Sequence, residues 1–342
     1  MSLISLCEQG WIPDALTRRG IRGLCEERLR QEHAGDPAAA DANFRRRLAE
    51  LRDSALAIET GAANRQHYEV PTEFFRLCLG KRLKYSSCYY PTGRETLDAA
   101  EEAMLALYGE RAGLADGQAI LELGCGWGSL TLWMAERYPN ARIVGVSNSA
   151  SQREHILGQC RERGLANVAI LTRDVNALQV DARFDRVVSV EMFEHVRNYR
   201  LLFERIAGWL EDDGSLFAHI FCHRHLMYPF EDQGRDDWMA RHFFTGGLMP
   251  AADTFLHFRD HLVLRERWLL PGTHYQRTAN HWLENQDAHR KDVLRILEGV
   301  YGKRDARVWS QRWRMFWMAC AELFGYRDGS EWLVAHYRFD RR

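Results

Sequence analysis

Apolar residues along the chain alternate between short continuous runs and longer stretches with helical spacing. Short buried runs that alternate with helices are typical of parallel sheets covered on both faces. Five such β-prone runs lie at Ile120 to Leu123, Arg142 to Val146, Val168 to Thr172, Phe184 to Val190 and Ser215 to Ile220. The pattern therefore predicts an α/β fold with a doubly wound, mostly parallel sheet.

The segments on either side of these runs have a different pattern. Residues from Pro13 to about Glu59 have helical spacing with a break at 35–41, which predicts two helices joined by a loop. After Ile220 a His- and Trp-rich region begins, and two further candidate strands, Leu262 to Leu270 and Trp332 to Phe339, bracket much of it. We interpret its helices as an insertion that builds a substrate pocket over the carboxyl edge of the sheet.

The first predicted strand ends in a glycine-rich turn, Ile120-Leu-Glu-Leu-Gly-Cys-Gly-Trp-Gly-Ser-Leu130. Glycines there let the backbone approach a ligand, and the following helix start offers free N–H groups. The spacing is Gly-x-Gly-x-Gly, with Glu122 two positions before Gly124, whereas dinucleotide-binding dehydrogenases carry Gly-x-Gly-x-x-Gly. A nucleotide-like cofactor is indicated; the alternative is an ordinary glycine turn.

Composition excludes several classes of protein. Lys plus Arg number 46 against 47 acidic residues, a balance that does not favour a nucleic-acid partner. The 8 cysteines form no C-x-x-C pair, so neither a zinc site nor a disulfide framework is indicated. No window approaches the roughly 20 apolar residues of a membrane span. We therefore expect a soluble cytoplasmic protein without a structural metal.

Ligands of open α/β sheets lie beyond the carboxyl ends of the strands, so residues directly after each strand are candidates for chemistry. After the second strand, Asn148 and Gln152 can hydrogen-bond the hydroxyls of a ribose, although Ser147 or Ser149 would equally serve as an ordinary helix cap. After the third strand, Asp174 is placed to accept a hydrogen bond from an adenine amino group. As a helix cap it would look the same.

Beyond the fourth strand the chain places acids beside an imidazole, in Glu191-Met-Phe-Glu194-His195. If a helix begins here, Glu191 shares a face with Glu194 and His195. A carboxylate and an imidazole suit the acceptance of a proton from a nucleophile. The alternatives are a structural cap with ion pairs, or a metal site that lacks matching ligands elsewhere.

Two further groups of residues are candidates for the site. His219 and Phe221 should share one face of the fifth strand, where His219 is either a core residue or a catalyst. An aromatic segment from Asn64 to Tyr90 includes His67, Tyr68 and Tyr85, and either covers the site or simply packs the helical lobe onto the core.

With these residues in place, the chain resembles the cyclopropane-fatty-acid synthase superfamily of methyltransferases, and within it the coclaurine N-methyltransferase-like group of amine methylases. The resemblance spans nearly the whole chain. The matching segments besides the glycine turn are Asn64-Arg-Gln-His-Tyr-Glu-Val-Pro71, Leu83-Lys-Tyr-Ser-Ser-Cys-Tyr-Tyr-Pro91, Met192-Phe-Glu-His195, His242-Phe-Phe-Thr-Gly-Gly247, His274-Tyr-Gln-Arg-Thr278, Ala321-Glu-Leu-Phe-Gly-Tyr326 and Glu331-Trp-Leu-Val-Ala-His336.

The resemblance implies a Rossmann-like class I methyltransferase fold with a seven-stranded sheet and S-adenosyl-L-methionine as cofactor. The expected division is an N-terminal helical lobe at 1–63, an aromatic-rich cover at 64–115, the S-adenosylmethionine-binding core at 116–220, a helical substrate-binding insertion with one returning strand at 221–331, and a C-terminal strand at 332–342.

The resemblance also implies roles for individual residues. The implied cofactor-binding residues are Tyr85, Ser86, Gly124, Gly126, Asn148, Gln152, Asp174 and Glu191. In the lipid-modifying members, a cysteine, a glutamate, a histidine and a tyrosine hold a bicarbonate ion. The matching positions are Ser87, Glu194, His219 and Tyr275, so the cysteine is missing. In the amine methylases, the residues matching Glu194 and His195 bind and deprotonate the substrate.

We therefore predict N-methylation of a small aromatic amine, with Glu194, His195, His219 and Tyr275 as the catalytic group. Ser87, Phe221, Phe243 and Phe244 are expected to contact the substrate. Methylene transfer to an unsaturated acyl lipid, with a membrane lipid as partner, is the alternative, and a catalytically inactive scaffold is a third hypothesis. The sequence leaves open whether the chain forms a homodimer.

Overall fold

The computed structural model describes residues 2–58, 70–232, 234 and 237–342. Its strands are β1 (Ala119–Leu123), β2 (Arg142–Ser147), β3 (Val168–Thr172), β4 (Phe184–Val190), β5 (Leu210–His223), β6 (Tyr228–Pro229), β7 (Leu248–Met249), β8 (Leu262–Leu270) and β9 (Trp332–Arg341). Seven of them form one sheet in the order β3-β2-β1-β4-β5-β9-β8, and β6 pairs with β7 separately.

The helices surround this sheet. They are α1 (Leu3–Glu8), α2 (Asp14–Gln31), α3 (Pro37–Asp53), α4 (Thr72–Cys78), α5 (Leu97–Ala112), α6 (Ser129–Arg137), α7 (Ala150–Arg163), α8 (Tyr199–Trp209), α9 (Trp238–His242), α10 (Thr273–Ala288) and α11 (Arg290–Gly325). Short 3₁₀ turns lie at Val175–Ala177, Phe193–His195, Thr254–His257 and Tyr326–Gly329.

The strand pairing confirms the predicted fold class. Strands β1 to β5 are parallel to one another, whereas β9 runs antiparallel between β5 and β8. The order reverses between β1 and β4, so the crevice of a doubly wound sheet opens beyond the ends of β1, β2 and β4. The loops that follow these strands position the site.

The two faces of the sheet bury separate apolar clusters. Phe217 of β5 belongs to the apolar cluster on one face, together with Met104 of α5 and Trp282 of α10. Leu216 and Ile220, which alternate with Phe217 along β5, belong to the cluster on the other face. Period-two alternation along a strand produces this division, and it confirms that neighbouring residues of β5 point to opposite sides.

Local signals explain several helix ends. The Asp36 carboxylate accepts hydrogen bonds from the Ala38 and Ala39 amides at 3.0 and 3.1 Å, and Pro37 occupies the first turn of α3. A side-chain oxygen at this position satisfies amides that lack partners within the helix. At the other end of a helix, Gly113 adopts φ 61° and terminates α5.

The N-terminal helices pack onto the long helix α11. Arg18 donates to Glu322 at 2.8 Å and to Asn280 at 2.8 Å, and Arg22 pairs with the same Glu322 carboxylate. Glu8 of α1 accepts from Arg312 at 2.8 Å. The predicted aromatic residues His67 and Tyr68 lie outside the described residues.

Candidate active site

The glycine turn after β1 lines a cleft at the switch point of the sheet. Gly124, Gly126 and Gly128 all have positive φ, at 82°, 51° and 83°, a region that costs other residues roughly 1–2 kcal/mol. A Cβ at Gly124 would lie 2.8 Å from Met192, whereas a Cβ at Gly126 would meet nothing within 4 Å. The open side of Gly126 leaves room for a ligand against the backbone.

The end of β2 supplies polar groups to the same cleft. Asn148 and Gln152 both line it. Gln152 is buried, and its carbonyl oxygen accepts from Ser147 Oγ at 2.7 Å. Its Nε2 has no hydrogen-bond partner among the described residues. A buried amide donor of this kind is costly unless a ligand satisfies it, so the site fits the hydroxyl of a ribose. Ser149 also caps α7, so both predicted roles of this turn hold together.

Asp174 serves as the cap of a 3₁₀ turn, since its carboxylate accepts from Asn176 N at 2.8 Å. Its neighbours Arg173 and Val175 line the cleft. Asp174 therefore acts as the cap that the sequence analysis gave as one alternative. Its contact with an adenine stays a prediction.

The other end of the cleft combines two buried ionisable residues, one of which, Lys84, the sequence analysis did not name as a site residue. Lys84 and Glu122 line it together with Tyr85 and Ser86. Burial lowers the pKa of Lys84, and it raises the pKa of Glu122 to about 8. A carboxyl group and an amine of this kind match the amino and carboxylate groups of the methionine part of the cofactor.

Lys84 also fixes the loop that carries Ser86 and Ser87. Its ammonium donates to Ser86 Oγ at 2.5 Å and to the Ser87 carbonyl at 2.6 Å. Lys84 lies in the matching segment that begins at Leu83, between an apolar and an aromatic residue. A lysine in such a position is buried only where acceptors meet its ammonium group, and this feature of the sequence could have indicated its role.

Glu191 is the centre of the site. Its Oε1 accepts from the Ser87 amide at 2.9 Å and lies 3.0 Å from His219 Nε2, and its Oε2 accepts from the Tyr275 hydroxyl at 2.8 Å. Burial raises the pKa of Glu191 to about 6, while the charge of Lys84 and these hydrogen bonds oppose the shift. The carboxylate borders both halves of the cofactor cleft.

The structure fixes Glu194 differently from Glu191, and the catalytic role expected for Glu194 stays a prediction. Glu194 is fully buried, and its Oε1 accepts from the Phe221 amide at 2.7 Å. Burial, with the charge of Glu191, raises its pKa well above the usual range, which favours the protonated form. The predicted helix does not form, because Glu191 adopts φ 47° and only a 3₁₀ turn follows at Phe193–His195. Glu191, expected among the cofactor ligands, takes the central position instead.

His195 lines the cleft beside an aromatic wall. Its ring centroid lies 4.7 Å from that of Phe244, which in turn lies 5.6 Å from Phe221. Burial, aided by the charge of Arg197, lowers the pKa of His195 to about 4. The imidazole is therefore neutral near neutral pH and able to accept a proton.

Phe243 was expected to contact the substrate, and its ring lies in the core of the helical region. Its ring is fully buried, and it stacks on Phe316 at 4.4 Å and packs against Trp313 and Trp238 at 5.0 and 5.2 Å. Adjacent residues at a helix end point in different directions, so Phe244 faces His195 while Phe243 packs the helical core. These contacts support a packing role, and a contact of Phe243 with the substrate stays a prediction.

The comparisons with known proteins give the family. The model described as mycolic acid cyclopropane synthetase matches residues 57–331. The chain belongs to this family. A relative, (S)-coclaurine N-methyltransferase from Thalictrum flavum subsp. glaucum, is 36% identical over 346 residues, covering 100% of this chain and 96% of that protein. Cyclopropane-fatty-acyl-phospholipid synthase from Escherichia coli (strain K12) is 30% identical over 276 residues, covering 80% of this chain and 67% of that protein.

Solved structures agree with this assignment. Coclaurine N-methyltransferase bound to N-methylheliamine and SAH has a TM-score of 0.95 and 35% identity, covering 99% of this chain and 98% of that chain. The cyclopropane synthase MmaA2 from Mycobacterium tuberculosis, at 22% identity and a TM-score of 0.69, covers 84% of this chain and 100% of that chain and shares the fold. Family and fold together confirm the predicted S-adenosylmethionine-dependent methyltransferase.

The helices of the described ranges differ from membrane-spanning helices. None of them, within residues 2–58, 70–232, 234 and 237–342, combines the required length and apolarity.

Proposed function

We propose that the protein transfers a methyl group from S-adenosylmethionine to the nitrogen of a small aromatic amine. The observation that carries the proposal is the Glu191 carboxylate, which is fixed by three hydrogen bonds at the border of the cofactor cleft. Support also comes from relatives named N-methyltransferases, including pavine N-methyltransferase from Thalictrum flavum subsp. glaucum at 31% identity over 344 residues.

The residues around the cleft fit the cofactor. Gln152 Nε2 would donate to a ribose oxygen, which would supply the acceptor that this amide lacks. The backbone at Gly126 leaves space for the cofactor. Lys84 and Glu122 would meet the charged amino-acid end. When bound, the cofactor supplies an electrophilic methyl group on a sulfonium sulfur. The protein contributes mainly alignment of the acceptor, an effect worth roughly 7–11 kcal/mol in favourable cases.

Glu191 and His195 would prepare the amine. A protonated amine has no lone pair to donate, so it must lose a proton before it can accept a methyl group. The negative charge at Glu191 attracts the cation, and the neutral imidazole of His195, or Glu191 Oε2, accepts the proton from the nitrogen. Such proton transfer by a positioned group contributes typically 10²–10⁴-fold in rate.

An aromatic wall would select the acceptor. Phe244 packs between two other rings, with its centroid 5.6 Å from that of Phe221 and 4.9 Å from that of Phe230. Aromatic faces attract a positive charge by about 0.5–2 kcal/mol each, and they also stack on a flat ring. The wall therefore favours a cyclic amine that carries an aromatic ring over an acyl chain.

The donors around Glu191 argue against the lipid alternative. In the lipid-modifying members that the sequence resembles, positions matching Ser87, His219 and Tyr275 contribute to a bicarbonate site. Here Glu191 accepts hydrogen bonds from all three. Ser87 replaces the cysteine, and the neighbouring Cys88 Sγ lies 3.7 Å from the Ser86 carbonyl. A carboxylate built into the chain thus fills the place of the anion.

Incubation with methyl-labelled cofactor tests the proposal. One set of reactions contains a panel of secondary and tertiary benzylisoquinolines, and the other contains vesicles of unsaturated phospholipid. We expect label in one or more amines and none in the lipid. Label in lipid with none in any amine would overturn the proposal, and calorimetry without detectable cofactor binding would favour the inactive scaffold.

A further inference from the structure

Two buried histidines connect the active-site carboxylate to a cation at the end of a helix. His219 of β5 and His336 of β9 are directly opposite each other in the antiparallel register, and both are fully buried. His336 Nε2 lies 3.0 Å from His219 Nδ1. On the far side, Arg111 in the last turn of α5 lies with Nη1 2.8 Å from His336 Nδ1.

The arginine fixes the direction of every hydrogen bond in this series. A guanidinium has only donors, so His336 Nδ1 must be the acceptor and carry no hydrogen. A neutral imidazole holds its hydrogen on the other nitrogen, so His336 Nε2 donates to His219 Nδ1. His219 must then carry its hydrogen on Nε2, which donates to Glu191 Oε1 at 3.0 Å.

A second polar group lies at the same nitrogen of His219. The Tyr108 hydroxyl is 2.8 Å from His219 Nδ1, and because a hydroxyl both donates and accepts, the tautomer is assigned by Arg111 and His336 alone. Burial lowers the pKa of His219 and of His336 well below the usual range, with Arg111 and Lys84 adding to the effect, in agreement with the neutral rings that the hydrogen bonds assign.

We propose that Arg111 and His336 are positioning residues that set the tautomer of His219 and so hold Glu191 as a hydrogen-bond acceptor. The inference deepens the proposed function, on which it rests for its catalytic consequence. Arg111 donates to His336, His336 donates to His219, and His219 donates to Glu191 Oε1, so the series of donors ends at one carboxylate oxygen. We call these three residues the histidine relay.

The histidine relay decides which group takes the proton from the substrate. His219 Nε2 already carries a hydrogen that it donates to Glu191, and the lone pair of its Nδ1 is taken by His336 Nε2, so His219 orients Glu191 and does not act as the base. Glu191 Oε2 and His195 remain as acceptors on the side of the cleft. This assignment differs from the sequence-based expectation that placed His219 in the catalytic group.

Nuclear magnetic resonance of the full chain labelled with ¹⁵N-histidine measures these tautomers directly. Long-range ¹H–¹⁵N correlations distinguish a nitrogen that carries hydrogen from one that does not, and His219→Gln and His336→Gln identify the two spin systems. We expect hydrogen on Nε2 of both rings. Hydrogen on Nδ1 of either ring, or a charged imidazolium at neutral pH, would overturn the proposal.

Substitution of Arg111 tests the cause. Arg111→Met removes the donor, and we expect His336 to populate the other tautomer and kcat to fall about 10-fold or more, with the KM for cofactor little changed. Arg111→Lys keeps a donor without an acceptor, so both tautomer and rate should be largely restored. An unchanged tautomer in Arg111→Met would refute the relay.

A matched control separates this effect from general damage. Arg137 also lies in the last turn of a helix and over a tryptophan ring, at 5.4 Å from Trp133, as Arg111 lies 4.9 Å from Trp268. Arg137→Met should leave both tautomers and kcat unchanged. The tautomers are read without substrate, so a protein with the expected tautomers that methylates no amine would refute the proposed function while leaving the relay intact.

Discussion

At the scale of single residues, the conformation of Glu191 explains why helical spacing does not describe how Glu191 and Glu194 lie. Its φ of 47° turns the chain abruptly after β4, and such a conformation costs an ordinary residue about 1–3 kcal/mol unless its surroundings hold it. Helical spacing from Glu191 predicted a shared face with Glu194. The residue types of the site could be predicted, but a backbone turn maintained by Ser87, His219 and Tyr275 leaves no local signal.

The pKa of Glu191 predicts the acid side of the activity profile. The site needs the carboxylate form, and burial raises the pKa of Glu191 to about 6 although Lys84 and His195 oppose the shift. As pH falls below 6, the group becomes protonated, and kcat/KM should fall about tenfold per pH unit. The measurement is a pH profile of kcat/KM with a good amine substrate.

A second profile identifies the group. His195 has a pKa lowered to about 4, so His195→Gln should lower the whole profile while leaving the break near pH 6 in place. A break that disappears in His195→Gln would assign the titration to the imidazole instead.

At the scale of secondary structure elements, the strands of the seven-stranded sheet were predictable, whereas β6, β7 and the pairing partners were not. The β3 and β4 bounds equal the predicted runs, Val168–Thr172 and Phe184–Val190, because continuous apolar runs mark buried strands. The pairing of β5 with β9, which places His219 opposite His336, joins residues far apart in sequence. The spacing of apolar residues along a strand does not determine which residues of two distant strands lie opposite each other. The histidine relay could therefore be recognised only in the folded chain.

A break in α11 predicts opposite effects of two similar substitutions. Gly302 adopts φ 75° and ψ 160° inside α11, a combination that is essentially restricted to glycine, whereas Gly299 on the same helix has no positive φ. Both have open space around the position of a Cβ. Gly302→Ala should therefore destabilise the protein by about 1–3 kcal/mol, and Gly299→Ala should stabilise it by up to about 1 kcal/mol.

Urea unfolding of the two variants measures these differences. Equal effects of the same sign would show that α11 continues through residue 302 without the break.

At the scale of the whole molecule, ion pairs join the N-terminal helices to the helices above the sheet. Arg18 and Arg22 of α2 share the Glu322 carboxylate, and Arg18 also reaches Asn280 of α10. The sequence predicted a helical lobe and a helical insertion as separate regions. Their contact depends on residues about 300 positions apart, which a pattern of local spacing does not encode. The predicted division into five regions remains a proposal.

The shared carboxylate predicts a measurable loss of stability. Glu322→Gln leaves two guanidinium groups beside a neutral amide, and we expect a loss of about 1–2 kcal/mol in the free energy of unfolding. The side chain of Glu322 is 10% exposed. The control is Glu50→Gln, because Glu50 is 55% exposed and pairs with Arg46 at 2.5 Å.

Exposed pairs of this kind contribute at most about 1 kcal/mol, so the Glu50 variant should unfold almost as the parent does. Equal stability of the Glu322 variant would show that apolar packing alone holds the N-terminal helices.

The most direct test of the central claim is the turnover of Glu191→Ala with and without a small carboxylate. The account predicts that this variant binds cofactor but loses on the order of 10²-fold or more in kcat. Formate or bicarbonate should partly restore kcat, because Ser87 N, His219 Nε2 and Tyr275 OH would then hold an added anion. Chloride serves as the control and should not. Near-normal turnover of Glu191→Ala with an amine substrate would contradict the account.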